Sequence, residues 1–273
     1  MRAMLLRGVA AGVAALALSG CFGPEAEPGV QGYVEGDFVD LGLPAAGRVE
    51  AVAVARGDAV AAGAEVFRLD ARAEEAALAE AEAKLAEAQA ARRLADIELL
   101  RQRGLRGTSA ELKAKLDSAT AAADSAVAAE AAAQAALAHA RWALDERTAR
   151  APRAARVEDV FFHPGEVVAA GQPVVRLLPP GNVVVRAYLG AAMLARLPAG
   201  AQAALRCDAC GEGAQAAVSF VSAEAAYAPP VLYSRAGAAK LAFLVELRPD
   251  TATALRLRPG QPVTILPPQG AGK

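Results

Sequence analysis

Large side chains are scarce in this 273-residue sequence: aromatic residues amount to 4%, with one Trp, four Tyr and seven Phe. Hydrophobic residues reach 55%, but much of that share is alanine, so little is available to fill a thick globular core. Thin cores in an elongated, modular chain are expected instead. Three Cys are too few for a disulfide scaffold. A net charge of −1 supplies no basic field for nucleic acid. No GxxxxGK[ST] loop is present, which argues against ATP binding by this chain. With only two His, His139 on a helical stretch and His163 in a loop, no Ser/His/Asp constellation can be assembled. The composition also excludes collagen-like and acidic disordered classes.

What is present begins with an address. Arg2 and Arg7 precede a short apolar run, residues 8–18, too short to span a bilayer comfortably, and no other stretch approaches the roughly 18 apolar residues a membrane helix needs. Leu18-Ser19-Gly20-Cys21 resembles the bacterial lipobox. That resemblance implies removal of residues 1–20 and acylation of Cys21, and each buried CH₂ of such an anchor adds about 0.8 kcal/mol of membrane affinity. Residues 21–29, rich in Pro, Gly and Glu, read as a tether.

The strongest internal signal is a repeat. One offset of 108 positions, with no gap, aligns Pro44 with Pro152, Val49 with Val157, Gly57 with Gly165, Gly63 with Gly171, Val66 with Val174 and Leu69 with Leu177. The glycines stand where turns require a positive φ or a tight corner. Short apolar stretches between them have strand character. Neither copy can bury its apolar face alone, so the two are expected to close into one small sandwich. The pattern resembles the two halves of a biotinyl/lipoyl domain. A carrier role is not expected, because the lysines between the halves, Lys84, Lys113 and Lys115, lie in helical context rather than on a hairpin.

The segment that separates the copies reads as two helices. Residues 71–103 contain neither Gly nor Pro and are dominated by strong helix formers, with Asp70 as the expected N-cap. Leu78, Ala81, Leu85, Ala88, Arg92, Ala95 and Leu99 recur at spacings of three and four. Gly104 and Gly107 mark the reversal, and Thr108 or Ser109 can cap the second helix. Its seam runs Leu112, Leu116, Ala119, Ala123, Ala126, Glu130, Ala133, Leu137, Ala140 and Leu144. About 33 residues make a rod of about 50 Å. Both ends continue the two halves of the sandwich, so the rod should project from it with its tip near residues 103–109.

The last third reads as short strands at 182–189, 202–207, 215–221, 240–247 and 263–266, one short helix at 191–197 and an extended loop at 223–237, which suggests a small antiparallel barrel. Cys207-Asp-Ala-Cys210 lies in a Gly-rich turn. A local disulfide is favoured in an oxidising compartment; zinc or redox chemistry stay as alternatives, although zinc would need two further ligands that the two His do not obviously supply.

Signal, split halves, helical hairpin and barrel in this order resemble the HlyD-type membrane-fusion proteins, with Tyr33-Val-Glu-Gly-Asp37 similar to the strand by which that family's chains enter the fold. The implied fold class is α+β, elongated and modular. A lipoyl-like sandwich (30–70 and 149–181) carries an inserted antiparallel coiled-coil hairpin (71–148), and a β-barrel (182–268) follows. The resemblance implies a non-enzymatic periplasmic adaptor without a cofactor. Such an adaptor is lipid-anchored, with the inner membrane favoured, and forms a homo-oligomeric ring, often a hexamer. It would link an inner-membrane transporter to a TolC-type outer-membrane channel for efflux or secretion. The Cys207–Cys210 segment followed by Pro229-Pro-Val-Leu-Tyr-Ser234 looks most like the branch that serves ABC exporters. Many family members carry Arg, then Leu four residues on, then Ser seven further, at a channel-docking tip. Arg101 and Leu105 keep the first spacing, but Ser109 follows four residues later, about three too soon. These three also fit routine turn chemistry: a solvated helix end, a hairpin plug and an N-cap. An envelope lipoprotein using its rod as a binding module, without a transporter, is the alternative reading.

Overall fold

The computed structural model describes residues 29–105, 109–208, 210–227 and 241–268. The signal segment, Cys21, most of the tether and the Pro229–Ser234 motif lie outside them. The chain divides into two compact units, one from Asp37 to Asn182 and one combining the segment up to Gly36 with everything from Val183 onward.

The flanking unit is a closed six-stranded barrel in the order β1-β10-β13-β12-β11-β14, built from β1 (Val30–Gly36), β10 (Val183–Leu189), β11 (Gln202–Arg206), β12 (Gln215–Tyr227), β13 (Leu241–Pro249) and β14 (Pro262–Leu266). Here the structure corrects the sequence reading. Residues 30–36 do not join the first half of the sandwich; β1 pairs with β10, Val34 opposite Val185, and with β14, Gly32 opposite Val263. Two further differences are local. Residues 223–227 continue β12 instead of looping, held by pairs such as Ala225 with Phe243. A short helix at Thr251–Arg256 is capped by Asp250, whose carboxylate accepts from the Thr253 amide at 2.8 Å. Val34, Val185, Leu189, Leu247 and Ile265 are fully buried in this unit, each contributing about 1.5–3 kcal/mol of apolar burial.

In the central unit, β2 (Val39–Gly42), β3 (Gly47–Val52), β4 (Ala59–Val60) and β5 (Glu65–Leu69) come from the first copy, and β6 (Thr148–Arg150), β7 (Ala155–Val160), β8 (Val167–Val168) and β9 (Pro173–Leu178) from the second. They form two four-stranded sheets, β2-β9-β7-β4 and β6-β5-β3-β8. Every sheet mixes the copies. Gly47 pairs with Val168 and Arg48 with Val167; 108 residues on, Ala155 pairs with Val60 and Arg156 with Ala59. One core serves both copies, with Val49, Val66, Phe67 and Leu69 packed on Val157, Val174, Val175 and Leu177. Gly57 and Gly165 adopt φ of 96° and 98°, Gly63 and Gly171 of 77° and 75°, a region where a Cβ would collide with the backbone. The correspondence reaches further than the motif, since β2 opposite β9 matches β6 opposite β5.

Between the copies stand α1 (Arg72–Gly104) and α2 (Ala110–Asp145). Asp70 does not occupy the N-cap, which is Ala71 with no side-chain cap. Its carboxylate accepts from the Arg72 amide at 3.2 Å and from the Arg72 guanidinium at 2.5–3.1 Å. The guanidinium, with help from that amide, holds the carboxyl down to about 2.

Candidate functional site

The helix pair and its distal end carry the residues that the sequence singles out. Three ion pairs show that α1 and α2 run antiparallel: Arg147 with Glu74 near the sandwich, Arg141 with Glu82 at 3.6 Å, and Arg92 with Glu130 at 2.8 Å. Between the helices, every seam residue named above is buried or partly buried except Arg92. Ala81, Leu137 and Ala140 form the closest-packed cluster, with Leu78 and Leu85 against it. Alanine at these positions lets two backbones approach but buries little area, so the pair relies on length and on polar ties as much as on core volume.

The main polar tie is the layer around Glu130, which is 8% exposed. Its carboxylate accepts from Arg92 Nη1 at 2.8 Å and from Gln134 Nε2 at 3.1 Å. The Arg92 guanidinium, ahead of every opposing influence, holds the Glu130 carboxyl below its ordinary range. A charged layer in an alanine seam costs desolvation, which the paired and hydrogen-bonded geometry offsets.

A second tie, absent from the sequence reading, fixes the base. Arg147 follows the last turn of α2 and donates to the Ala46 carbonyl at 2.9 Å and to Glu74 in the first turn of α1. The Leu69 amide donates back to the Arg147 carbonyl at 2.9 Å. One side chain thus joins α1, α2 and a sandwich loop; only its place at the end of an uninterrupted helical run hinted at it. Beside it a groove is lined by Glu50, Arg68, Arg141 and Asp145, and its two arginines are ion-paired, Arg68 with Glu50 and Arg141 with Glu82.

At the far end, Arg101 lies in the last turn of α1, exposed and paired with Glu98 at 2.6 Å. Leu105 ends α1 in an extended conformation and is 51% exposed, so it does not plug the hairpin. Ser109 is the N-cap of α2, its Oγ accepting from the Leu112 amide at 3.3 Å. The structure therefore places all three at one end of the pair and gives Ser109 a capping bond; residues 106–108 lie outside the described set.

Cys207 and Cys210 are disulfide-bonded, with Cα atoms 5.2 Å apart. Cys210 is buried, and the Gln261 amide nitrogen lies 3.2 Å from Cys207 Sγ. His163 is exposed, with its backbone amide donating to Glu166 at 2.6 Å. His139 stacks obliquely on Trp142, ring centroids 5.8 Å apart. Among the described residues no group of three His, Cys, Asp or Glu side chains could hold a metal ion, and no helix is long and apolar enough to cross a membrane.

No family model and no curated protein matches the sequence. Solved structures do. The membrane fusion protein Spr0693 from Streptococcus pneumoniae R6 is 18% identical, with a TM-score of 0.61 over 88% of this chain and 97% of its own. A putative efflux transporter from Bacteroides eggerthii is 18% identical, with a TM-score of 0.58 over 86% and 67%. MacA from Actinobacillus actinomycetemcomitans is 17% identical, with a TM-score of 0.56 over 87% and 78%. The chain has the fold of membrane-fusion, or periplasmic adaptor, proteins.

Proposed function

We propose that this chain is a lipid-anchored periplasmic adaptor that links an inner-membrane transporter, of the ABC exporter type, to a TolC-type outer-membrane channel. The observation that carries the reading is the closure of two sequence-distant copies into one sandwich around an inserted helix pair. In this reading the sandwich is lipoyl-like without a carrier lysine, and the helix pair is a coiled-coil hairpin. Arg147 makes the rod rigid at its base, so its far end is held at a fixed distance from the sandwich, about 50 Å at 1.5 Å per residue. That is a geometry for reaching a partner, and no bond is made or broken in it. Arg101, Leu105 and Ser109 form the channel-docking tip. Cys21, once acylated, holds the chain at the inner membrane, and copies assemble into a ring, in the family often a hexamer. The Cys207–Cys210 disulfide suits an oxidising compartment.

The test is capture in place. The full-length chain, affinity-tagged and cross-linked in intact cells, is expected to bring down one transporter and one outer-membrane channel. Cys21→Ser is expected to release it from the membrane fraction. Recovery of neither partner, from cells that export normally, would refute the adaptor reading in favour of a free-standing envelope lipoprotein.

A further inference from the structure

Where the helix pair leaves the sandwich, α1, α2 and the sheet β6-β5-β3-β8 enclose a groove of about 510 Å³. Its floor is apolar. Leu69 of β5 is fully buried, and Leu78 of α1 and Leu144 of α2 are half-buried beside it. Leu78 is held in turn against Ala81, Leu137 and Ala140 of the seam. The groove is open because Ala71 and Thr148, where the chain passes from sheet to helix and back, are too small to fill the corner.

The rim is charged, and its charges are not all spent. The two arginines on it are committed: Arg68 to Glu50 at 3.0 Å and Glu65 at 3.4 Å, Arg141 to Glu82 at 3.6 Å. Two carboxylates are not. Glu75, in the first turn of α1, and Asp145, the last residue of α2, line the groove and are exposed. Among the described residues, neither side chain has an ion-pair or hydrogen-bond partner. We propose that this groove binds a drug-sized amphiphilic cation, an ammonium or comparable onium group carried on an aromatic or branched apolar body.

Each part of that description answers a part of the groove. Its volume falls within the roughly 300–1,000 Å³ of small-molecule sites. The apolar body takes the leucine floor out of water. The positive charge answers Glu75 and Asp145. Among the described residues that line the groove, an anion finds no uncommitted guanidinium and meets two carboxylates that repel it. A neutral apolar molecule would cover the carboxylates without pairing them, at the cost of their hydration. A hydrated metal ion would keep its water and leave the floor exposed. Only a ligand both apolar and positive gains from floor and rim together. Such a ligand touches both helices and the sheet at once. It would therefore bridge the same parts that Arg147 ties through Ala46 and Glu74, and its binding would stabilise the base of the rod. The inference goes beyond the adaptor reading and does not rest on it, since it needs no transporter, channel or second copy.

The probe is tetraphenylphosphonium, with tetraphenylborate as the ion of matching shape and opposite charge. Isothermal titration calorimetry of the full-length chain is expected to show saturable binding of one tetraphenylphosphonium per chain and none of tetraphenylborate. Glu75→Gln with Asp145→Asn is expected to weaken that binding by about tenfold or more. The unfolding temperature of the unliganded chain should stay unchanged, because neither carboxylate holds a partner. Ala71→Trp fills the groove and keeps both carboxylates; it is expected to abolish binding while the helical circular dichroism is retained. Hydrogen exchange should slow on binding at residues 71–78 and 141–148. No binding, equal binding of the two ions, a smaller loss in the carboxylate variant, binding retained by Ala71→Trp, or protection confined to other residues would each overturn the proposal.

Discussion

The amide of Gly57 donates to the carbonyl of Val157 at 2.9 Å, tying the first copy of the repeat to the second across the whole helical insertion. Its counterpart 108 residues on, Gly165, donates to the carbonyl of Val49 at 2.8 Å. The return bonds match as well: Val157 to Asp58 and Val49 to Glu166, both 2.8 Å. This exchange makes the sandwich a single unit. The base of the helix pair continues the two copies, so a change that opens the sandwich loosens that base and leaves it to the Arg147 ties to Ala46 and Glu74.

Gly57→Ala and Gly165→Ala are therefore expected to destabilise the sandwich equally. Beyond the glycine and its two chain neighbours, a Cβ at either position meets nothing within 4 Å, so the whole effect is the local backbone strain of a positive φ, about 1–2 kcal/mol each. Thermal unfolding of the two variants should give matching falls in Tm. A difference above about 0.5 kcal/mol would show that the two turns are not energetically equivalent.

The repeat was legible because glycines at turns and valines in strands are dictated locally, and the two copies align without a gap. β1 was not. Its alternation fits either unit, and only the long-range pairing of Val34 with Val185 assigns it to the barrel. The tail of β12 was missed because Ala223, Glu224 and Ala225 lack β-branched or aromatic character; pairing with Phe243 imposes the strand. At the rod, the period of the seam fixed the inward residues, whereas Leu94, Ile97 and Leu100 fell outside that count. Arg147 could be found only once Ala46 and Glu74, far apart in the chain, were seen together. The symmetry also breaks in a way no alignment of apolar positions reports. Arg176 forks onto Asp40 at 2.6 and 2.8 Å between the rings of Phe38 and Phe161, whereas its counterpart Arg68 faces Thr148 and turns to Glu50 and Glu65.

Acid should loosen the helix pair through Glu130. Its carboxyl is held below the ordinary range in the folded chain, so at mildly acid pH the unfolded chain binds more protons there. The stabilisation is complete above the ordinary carboxylate range and is lost as pH falls through and below it. Glu130→Gln is expected to lower Tm at neutral pH and to flatten the fall of Tm below about pH 4.5. Replacing both partners, Arg92→Met with Glu130→Leu, should recover most of the stability lost in either single variant. A double variant no better than the singles would mean that the pair is not the unit that matters.

At the tip, capping and docking can be separated. Ser109→Ala removes the bond to the Leu112 amide and should cost about 1 kcal/mol of helix stability, while Ser109→Asp keeps a capping oxygen. If Ser109 only caps, Ser109→Asp exports normally. Leu105→Asp and deletion of residues 103–107 should leave the fold intact, since Leu105 is half in solvent, and should abolish export. Normal export from the deletion would count decisively against docking through this end.

The disulfide offers a check on both compartment and stability. Protein recovered from the cell envelope and alkylated without reduction is expected to have Cys207 and Cys210 protected, and reduction should expose both. Because Cys210 is buried against the barrel and the closed loop is short, Cys207→Ser with Cys210→Ser should cost roughly 2 kcal/mol and lower the unfolding temperature of the barrel. Equal alkylation with and without reductant would mean that the pair is a free dithiol where the protein works, and the assignment to an oxidising compartment would lose this support.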